Sequence, residues 1–155
     1  ANAVVLDPMC GAGTILAEQL EMGRYPEYRT RQVLGGDLDA TALRAAGVNL
    51  RKLGGDRLAR WDARRLPLAS HSIDRVISNP PFGKQLGEPE EIGPLYEGMV
   101  REYDRVLRPG GRAVLLVSEF RLLKEAARGC GWKLDRQERV EVLGQRATIT
   151  VWRKT

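Results

Sequence analysis

Four consecutive residues, Asn79-Pro80-Pro81-Phe82, follow the apolar run Val76-Ile77 and carry the most specific chemistry in the chain. An exocyclic amine conjugated to a base ring is a poor nucleophile, because its lone pair is delocalised into the ring. Two acceptors, the Asn79 side-chain oxygen and the Pro80 carbonyl, can hold both amine hydrogens and aim the lone pair at an electrophilic carbon. That is positioning plus stabilisation of developing positive charge. The two prolines fix the backbone and leave the Pro80 carbonyl without a competing ladder role. No general base of matched pKa is required, since the amine becomes strongly acidic once alkylated. Phe82 would stack on a base that has left its helical stack. The plainer alternative is a rigid surface turn with a buried phenylalanine.

A second cluster is Asp7-Pro8-Met9-Cys10-Gly11-Ala12-Gly13-Thr14. Gly11 and Gly13 allow a tight turn and the close approach of a ligand. A dinucleotide loop would want a third glycine where Leu16 stands, and Asp7 places a negative charge where a pyrophosphate would be repelled. S-adenosylmethionine carries a sulfonium, an ammonium and no phosphate, so the charge favours it over NAD or ATP. Asp37 closes the next apolar run, where a carboxylate can accept both hydroxyls of a ribose. Dinucleotide folds use an acid in the same place, so Asp37 alone does not choose between cofactors. Asp62 could accept from an adenine amine, with the Ala63 amide meeting the ring, or could be a solvated turn carboxylate beside Arg64 and Arg65.

Other conspicuous residues carry less. His71, the one histidine, lies in a polar Ser-His-Ser loop and reads as solvated. Cys10 reads as a small loop residue, with no histidine near it in sequence to make it a nucleophile. Trp61 either lines an adenine pocket or packs in the core. Lys84 either touches phosphate or is simply exposed. No metal-ligand spacing is present.

The elements that must position these groups alternate strand, turn and helix. Strands are expected at Ala3 to Leu6, Gln32 to Gly36, Leu58 to Trp61, Ile73 to Ser78 and Arg112 to Ser118. Helices are expected from Thr14 to Glu21, from Asp39 as cap to about Leu53, from Ile92 to Leu107 and from Glu119 to Arg128. Pro109-Gly110-Gly111 reads as the end of the third helix. Lys133 to Leu143 and Ala147 to Arg153 flank Gly144-Gln145 as a hairpin. The pattern implies an α/β fold, a doubly wound and mostly parallel sheet covered on both faces, with a C-terminal antiparallel hairpin. In such sheets ligands bind outside the carboxyl ends of the strands, where Asp7, Asp37, Asp62 and Asn79 all fall.

At 155 residues, 43% hydrophobic and 29% charged, the chain suits one soluble domain. No apolar run approaches the ~20 residues that would span a bilayer, and no signal peptide is apparent. A net charge of +5, rich in arginine, is compatible with RNA without specifying it. Two cysteines, Cys10 and Cys130, fit a reducing compartment rather than a disulfide framework.

Asp-Pro-Met-Cys-Gly-Ala-Gly-Thr at 7–14 together with Asn-Pro-Pro-Phe-Gly at 79–83 resembles the guanine-N2 RNA methyltransferases that carry a THUMP RNA-binding module. Gly36-Asp37-Leu38-Asp39 and Trp61-Asp62-Ala63 stand in the expected places between, so the likeness covers nearly all of the chain. It implies a seven-stranded, Rossmann-like class I methyltransferase fold, S-adenosylmethionine as donor, and an RNA guanine, in tRNA, as acceptor; the cytoplasm is the expected setting from the cysteine content. The expected cofactor-binding set is Asp7, Pro8, Cys10, Gly11, Gly13 and Thr14 in the loop, Asp37-Leu38 and Asp62-Ala63, and Asn79. Asn79, Pro80 and Phe82 form the expected catalytic set. The chain opens on alanine and enters its first strand at once. It is therefore expected to be a catalytic piece of a longer protein, the RNA-binding module lying before it. Asn79 to Phe82 alone also fits an adenine-N6 DNA methyltransferase; a non-catalytic RNA-binding module and an NAD-dependent dehydrogenase are the alternatives from other classes.

Overall fold

The computed structural model describes residues 2–55, 57–82 and 89–155. Seven strands form one sheet: β1 (Ala3–Asp7), β2 (Thr30–Asp37), β3 (Leu58–Arg60), β4 (Ile73–Ser78), β5 (Leu107–Val117), β6 (Lys133–Val142) and β7 (Gln145–Arg153). Their order is β3-β2-β1-β4-β5-β7-β6. The first five are parallel, and β7 runs antiparallel between β5 and β6. This is the doubly wound sheet with an antiparallel hairpin that the alternation of elements implies.

Two helices lie on each face. On one side α1 (Thr14–Met22) and α2 (Ala40–Leu50) bury Leu16, Ala46 and Leu50 with Cys10, against Val33 and Leu58. On the other, α3 (Ile92–Val106) and α4 (Phe120–Gly129) close the main core. The three-four spacing of α3 explains why: Ile92, Tyr96, Met99, Val100, Tyr103 and Val106 are all buried along one stripe. Each such side chain contributes about 1.5–3 kcal/mol by leaving water. Coverage of the α1/α2 face is partial, since these helices pack on β2 and β3. Ile77, Val114 and Val151, side by side across β4, β5 and β7, belong to neither core. No helix among the described residues is long and apolar enough to cross a membrane.

Several element boundaries shift by one to three residues from the sequence expectation, β2 starting at Thr30, α2 ending at Leu50 and β3 ending at Arg60, and two further differences have a clear physical reason. Pro109-Gly110-Gly111 does not separate α3 from its strand. β5 starts at Leu107 and carries these residues as an irregularity, the register with β4 jumping from Ile73↔Leu107 to Arg75↔Arg112. The Gly110 amide donates to the Lys154 carbonyl at 3.0 Å, so the segment stays hydrogen-bonded, and Gly110 supplies the positive φ (76°) the bend needs. The hairpin turn falls one residue early, on Leu143-Gly144, with φ 48° and 74°. Two-residue hairpins favour positive φ at both central positions, and Leu143 adopts it while 98% exposed.

Trp61 belongs to the core and also supports the glycine loop. Its indole Nε1 donates to the Pro8 carbonyl at 2.9 Å. The ring lies against Gly36, where a Cβ would stand 2.1 Å from Trp61 Cε2 and 2.5 Å from the Ala59 carbonyl. Glycine at position 36 is thus a matter of close approach. Gly36→Ala should cost about 1–3 kcal/mol by overpacking, seen as a lower urea midpoint. An unchanged midpoint would show that Trp61 has room to yield.

Candidate active site

The strand order reverses between β1 and β4, and in open α/β sheets ligands bind at that switch, outside the carboxyl ends. A cleft of about 830 Å³ opens there, within the range of small-molecule sites. Pro8 and Met9 line it from the glycine loop, Asp37, Leu38 and Asp39 from the end of β2, and Asp62, Ala63 and Arg64 from beyond β3. Pro81 and the segment from Glu90 to Leu95 close it. A smaller hollow of about 470 Å³ lies at the opposite edge, around Arg75 and Arg112, away from all of these.

The glycine loop is held by backbone contacts and by two carboxylates, Asp37 and Asp7. The Cys10 amide donates to the Gly36 carbonyl at 2.9 Å, and Gly13 to the Cys10 carbonyl at 2.8 Å. Asp37 accepts from the Gly11 amide at 2.8 Å on one oxygen and from the Asp39 amide at 2.9 Å on the other. Asp37 therefore ties the loop to the end of β2, while Asp39 caps α2 through the Thr41 amide at 2.8 Å. The two glycines differ. A Cβ on Gly13 would press on Leu50 Cδ1 at 3.1 Å, so this glycine serves the packing of α1 on α2. A Cβ on Gly11 would meet nothing within 4 Å. Its positive φ (52°) and the open space above it leave the backbone accessible to a ligand. Thr14 stands exposed at the start of α1.

Asp7 is set back from the cleft. It is 1% exposed, and its Oδ1 accepts from the Ser78 hydroxyl at 2.9 Å and from the Met9 amide at 3.2 Å. Burial pushes its carboxyl up to about 7; those two hydrogen bonds oppose the rise and the charge of Asp37 adds to it. Burial likewise pushes the Cys10 thiol up to about 12, helped by the charges of Asp7 and Asp37. A thiol so placed is not a nucleophile at neutral pH.

Asp62 lines the cleft with a partner already in place. Arg64 engages both of its oxygens, at 3.0 Å through Nε and 2.7 Å through Nη2, and the Arg64 amide donates to Oδ1 at 2.9 Å. The Arg64 hydrogen bond leads the lowering of the Asp62 carboxyl. The loop that follows is clamped to α3: the Leu66 amide donates to Glu102 at 2.7 Å, and Arg105 donates to the carbonyls of Leu66 and Leu68.

On the remaining loop Asn79 is exposed, and its carboxamide has no hydrogen-bond partner among the described residues. Pro80 is buried, Pro81 half-buried at the cleft, and Phe82 buried with 7% exposure. Lys84 and Gly83 lie outside the described residues. His71 is exposed as expected, with Nδ1 3.2 Å from the Leu107 carbonyl. Of the residues singled out from sequence, Pro8, Asp37, Leu38, Asp62 and Ala63 share the cleft. Met9, Arg64, Glu90, Glu91, Pro94 and Leu95 were not singled out for it, and only Met9 had a signal, its place in the glycine loop. The described lining holds five carboxylates (Asp37, Asp39, Asp62, Glu90, Glu91) against one guanidinium, Arg64. Such a cleft attracts a cation and repels a phosphate.

Residues 1–148 match the family described as "RMKL-like, methyltransferase domain". The chain belongs to that family. It is 43% identical over 122 residues to the bovine U6 snRNA (guanine-N(2))-methyltransferase THUMPD2, covering 77% of this chain and 23% of that protein. It is 39% identical over 125 residues to the tRNA (guanine(6)-N2)-methyltransferase of Thermus thermophilus, covering 79% of this chain and 36% of the relative. The crystal structure of TrmN from Thermus thermophilus superposes with a TM-score of 0.84 at 33% identity, over 99% of this chain and 44% of that one. The chain thus spans about a quarter to a third of the length of these curated relatives. Solved S-adenosylmethionine-dependent methyltransferases share its fold, one from Methanosarcina mazei at a TM-score of 0.76 and 15% identity.

In this methyltransferase domain the buried Asp7 makes stability depend on pH with a definite sign. The unfolded carboxyl titrates near 3.8 and the folded one near 7, so between these values the folded state holds a proton that the unfolded state has released. Stability contributed by this group therefore falls as pH rises through that window, by at most about 4 kcal/mol. Wild type should lose stability relative to Asp7→Asn between about pH 4 and about pH 7 in denaturant titrations. Parallel pH dependences for the two proteins would contradict the assignment.

Proposed function

We propose that this domain transfers a methyl group from S-adenosylmethionine to the exocyclic N2 amine of a guanine in RNA, and of tRNA in particular. The observation that carries the reading is the exposed Asn79 carboxamide, without a hydrogen-bond partner among the described residues, two positions before Pro81, which lines a cleft whose described lining holds five carboxylates to one cation. A sulfonium cofactor without phosphates fits that charge, and a dinucleotide does not. The sequence relatives named as guanine-N2 methyltransferases of tRNA and U6 snRNA support guanine over adenine and RNA over DNA.

In this reading Asp37, Leu38, Asp62 and Ala63 hold the adenosine end, and Pro8, Cys10, Gly11, Gly13 and Thr14 shape the loop against the rest. The Asp7 carboxylate behind the loop complements the cofactor's positive charge. S-adenosylmethionine supplies an electrophilic methyl carbon. Asn79 Oδ1 and the Pro80 carbonyl accept the two amine hydrogens, turning the nitrogen lone pair outward from the ring plane, and Phe82 forms the wall against the base. The new bond joins nitrogen to the methyl carbon as the carbon–sulfur bond breaks, and one amine proton passes to water. Positioning and charge stabilisation supply the rate, without a base. Two free cysteines support a cytoplasmic setting.

The test is incubation of the full-length protein with labelled cofactor and total tRNA, followed by digestion and mass spectrometry of the nucleosides. N2-methylguanosine is expected, and Asn79→Ala should abolish it while calorimetry finds cofactor affinity within about threefold of wild type. Label in N6-methyladenosine would move the reading to adenine. Undiminished turnover in Asn79→Ala would overturn the mechanism.

A further inference from the structure

Between the glycine loop and the Asn79 loop the sheet contains one polar contact buried on all sides. Ser78 is 2% exposed and Asp7 1%, and their hydrogen bond at 2.9 Å joins residues 71 apart in sequence. The same Asp7 oxygen accepts the Met9 amide, so a single atom is bonded to the strand end on one side and to the glycine loop on the other. β1 and β4 are parallel neighbours, and these two side chains lie at their carboxyl ends, at the switch point itself. Tyr103, on α3, completes the enclosure. It is fully buried, and its hydroxyl lies beside Ser78 and Asp7.

We propose that Ser78 is a positioning residue for methyl transfer: its hydroxyl, anchored on Asp7, sets the Asn79 carboxamide at a fixed distance from the glycine loop. The inference rests on the function proposed above. A hydroxyl at 2% exposure is costly unless paired, and its neighbours on the same face, Val76 and Leu6 across β1, are apolar. An apolar residue at position 78 would pack as well, so packing does not account for serine. The anchor acts one residue from Asn79, and Pro80 restricts the Asn79 backbone from the other side. With both neighbours fixed, the Asn79 backbone from which the carboxamide extends is held by the Asp7–Ser78 bond, on the same carboxylate that holds Met9. Tyr103 excludes water from this bond, so it is not exchanged for solvent.

The test compares Ser78→Ala and Ser78→Thr with wild type in the full-length protein. Ser78→Ala should lower kcat about 10- to 100-fold, the usual effect of misplacing a reacting group by an ångström or less, with cofactor Kd and RNA KM within about threefold. Ser78→Thr, which keeps the hydroxyl, should recover most of kcat. The Asn79 side-chain amide resonances should shift in Ser78→Ala and return in Ser78→Thr. Unchanged kcat in Ser78→Ala, or a loss that follows cofactor affinity, would overturn the proposal, as would Asn79 resonances identical to wild type. The two claims separate: a wild type that methylates no guanine removes the proposed function, while the resonances still report whether Ser78 sets Asn79.

Discussion

The carboxylate of Asp37 accepts one amide from each of two loops, Gly11 from the loop after β1 and Asp39 from the cap of α2. Each loop alone is a short glycine- or aspartate-rich turn with several backbone conformations open to it. Joined through one carboxylate at the carboxyl edge of the sheet, they keep a single arrangement. Trp61 adds the third side by donating to Pro8 from above Gly36. The cleft depends on these contacts more than on the size of the core, since they decide which backbone groups face inward and which remain for a ligand.

Charge is divided between this edge and the rest of the molecule. The chain carries +5 overall, yet the described cleft lining is dominated by carboxylates. A polyanion drawn to the basic surface would be repelled from the cleft, and under the proposed function a neutral base leaving its stack would not be. A cationic cofactor would be drawn in. Arg64 is the exception, and its pairing with Asp62 means that an adenine reaching that carboxylate must share it with a guanidinium.

Much of the fold is legible from local pattern. The three-four spacing of α3, the Asp39 cap and the run of strand, turn and helix each express short-range rules that the structure obeys. Pro109-Gly110-Gly111 misled because a helix stop and a strand irregularity draw on the same residue types. Leu143 misled because a leucine at positive φ has no sequence signature. For the site, the glycine loop and Asn79-Pro80-Pro81-Phe82 stand out by composition. The Asp7–Ser78 bond, the lean of Trp61 over Gly36 and the approach of Glu90 to Leu95 across the cleft are long-range, and nothing in the neighbouring residues announces them. Asp62 lay open between two roles, and the structure places it in the cleft with Arg64 already bound.

Amide hydrogen exchange, with and without S-adenosylmethionine, tests most directly whether the loops joined by Asp37 form the cofactor site. Protection should increase at residues 9–13, 37–39 and 61–64, with little change around Arg108 to Arg112 at the opposite edge of the sheet. Protection confined to that opposite edge, or none at the glycine loop under saturating cofactor, would contradict the account.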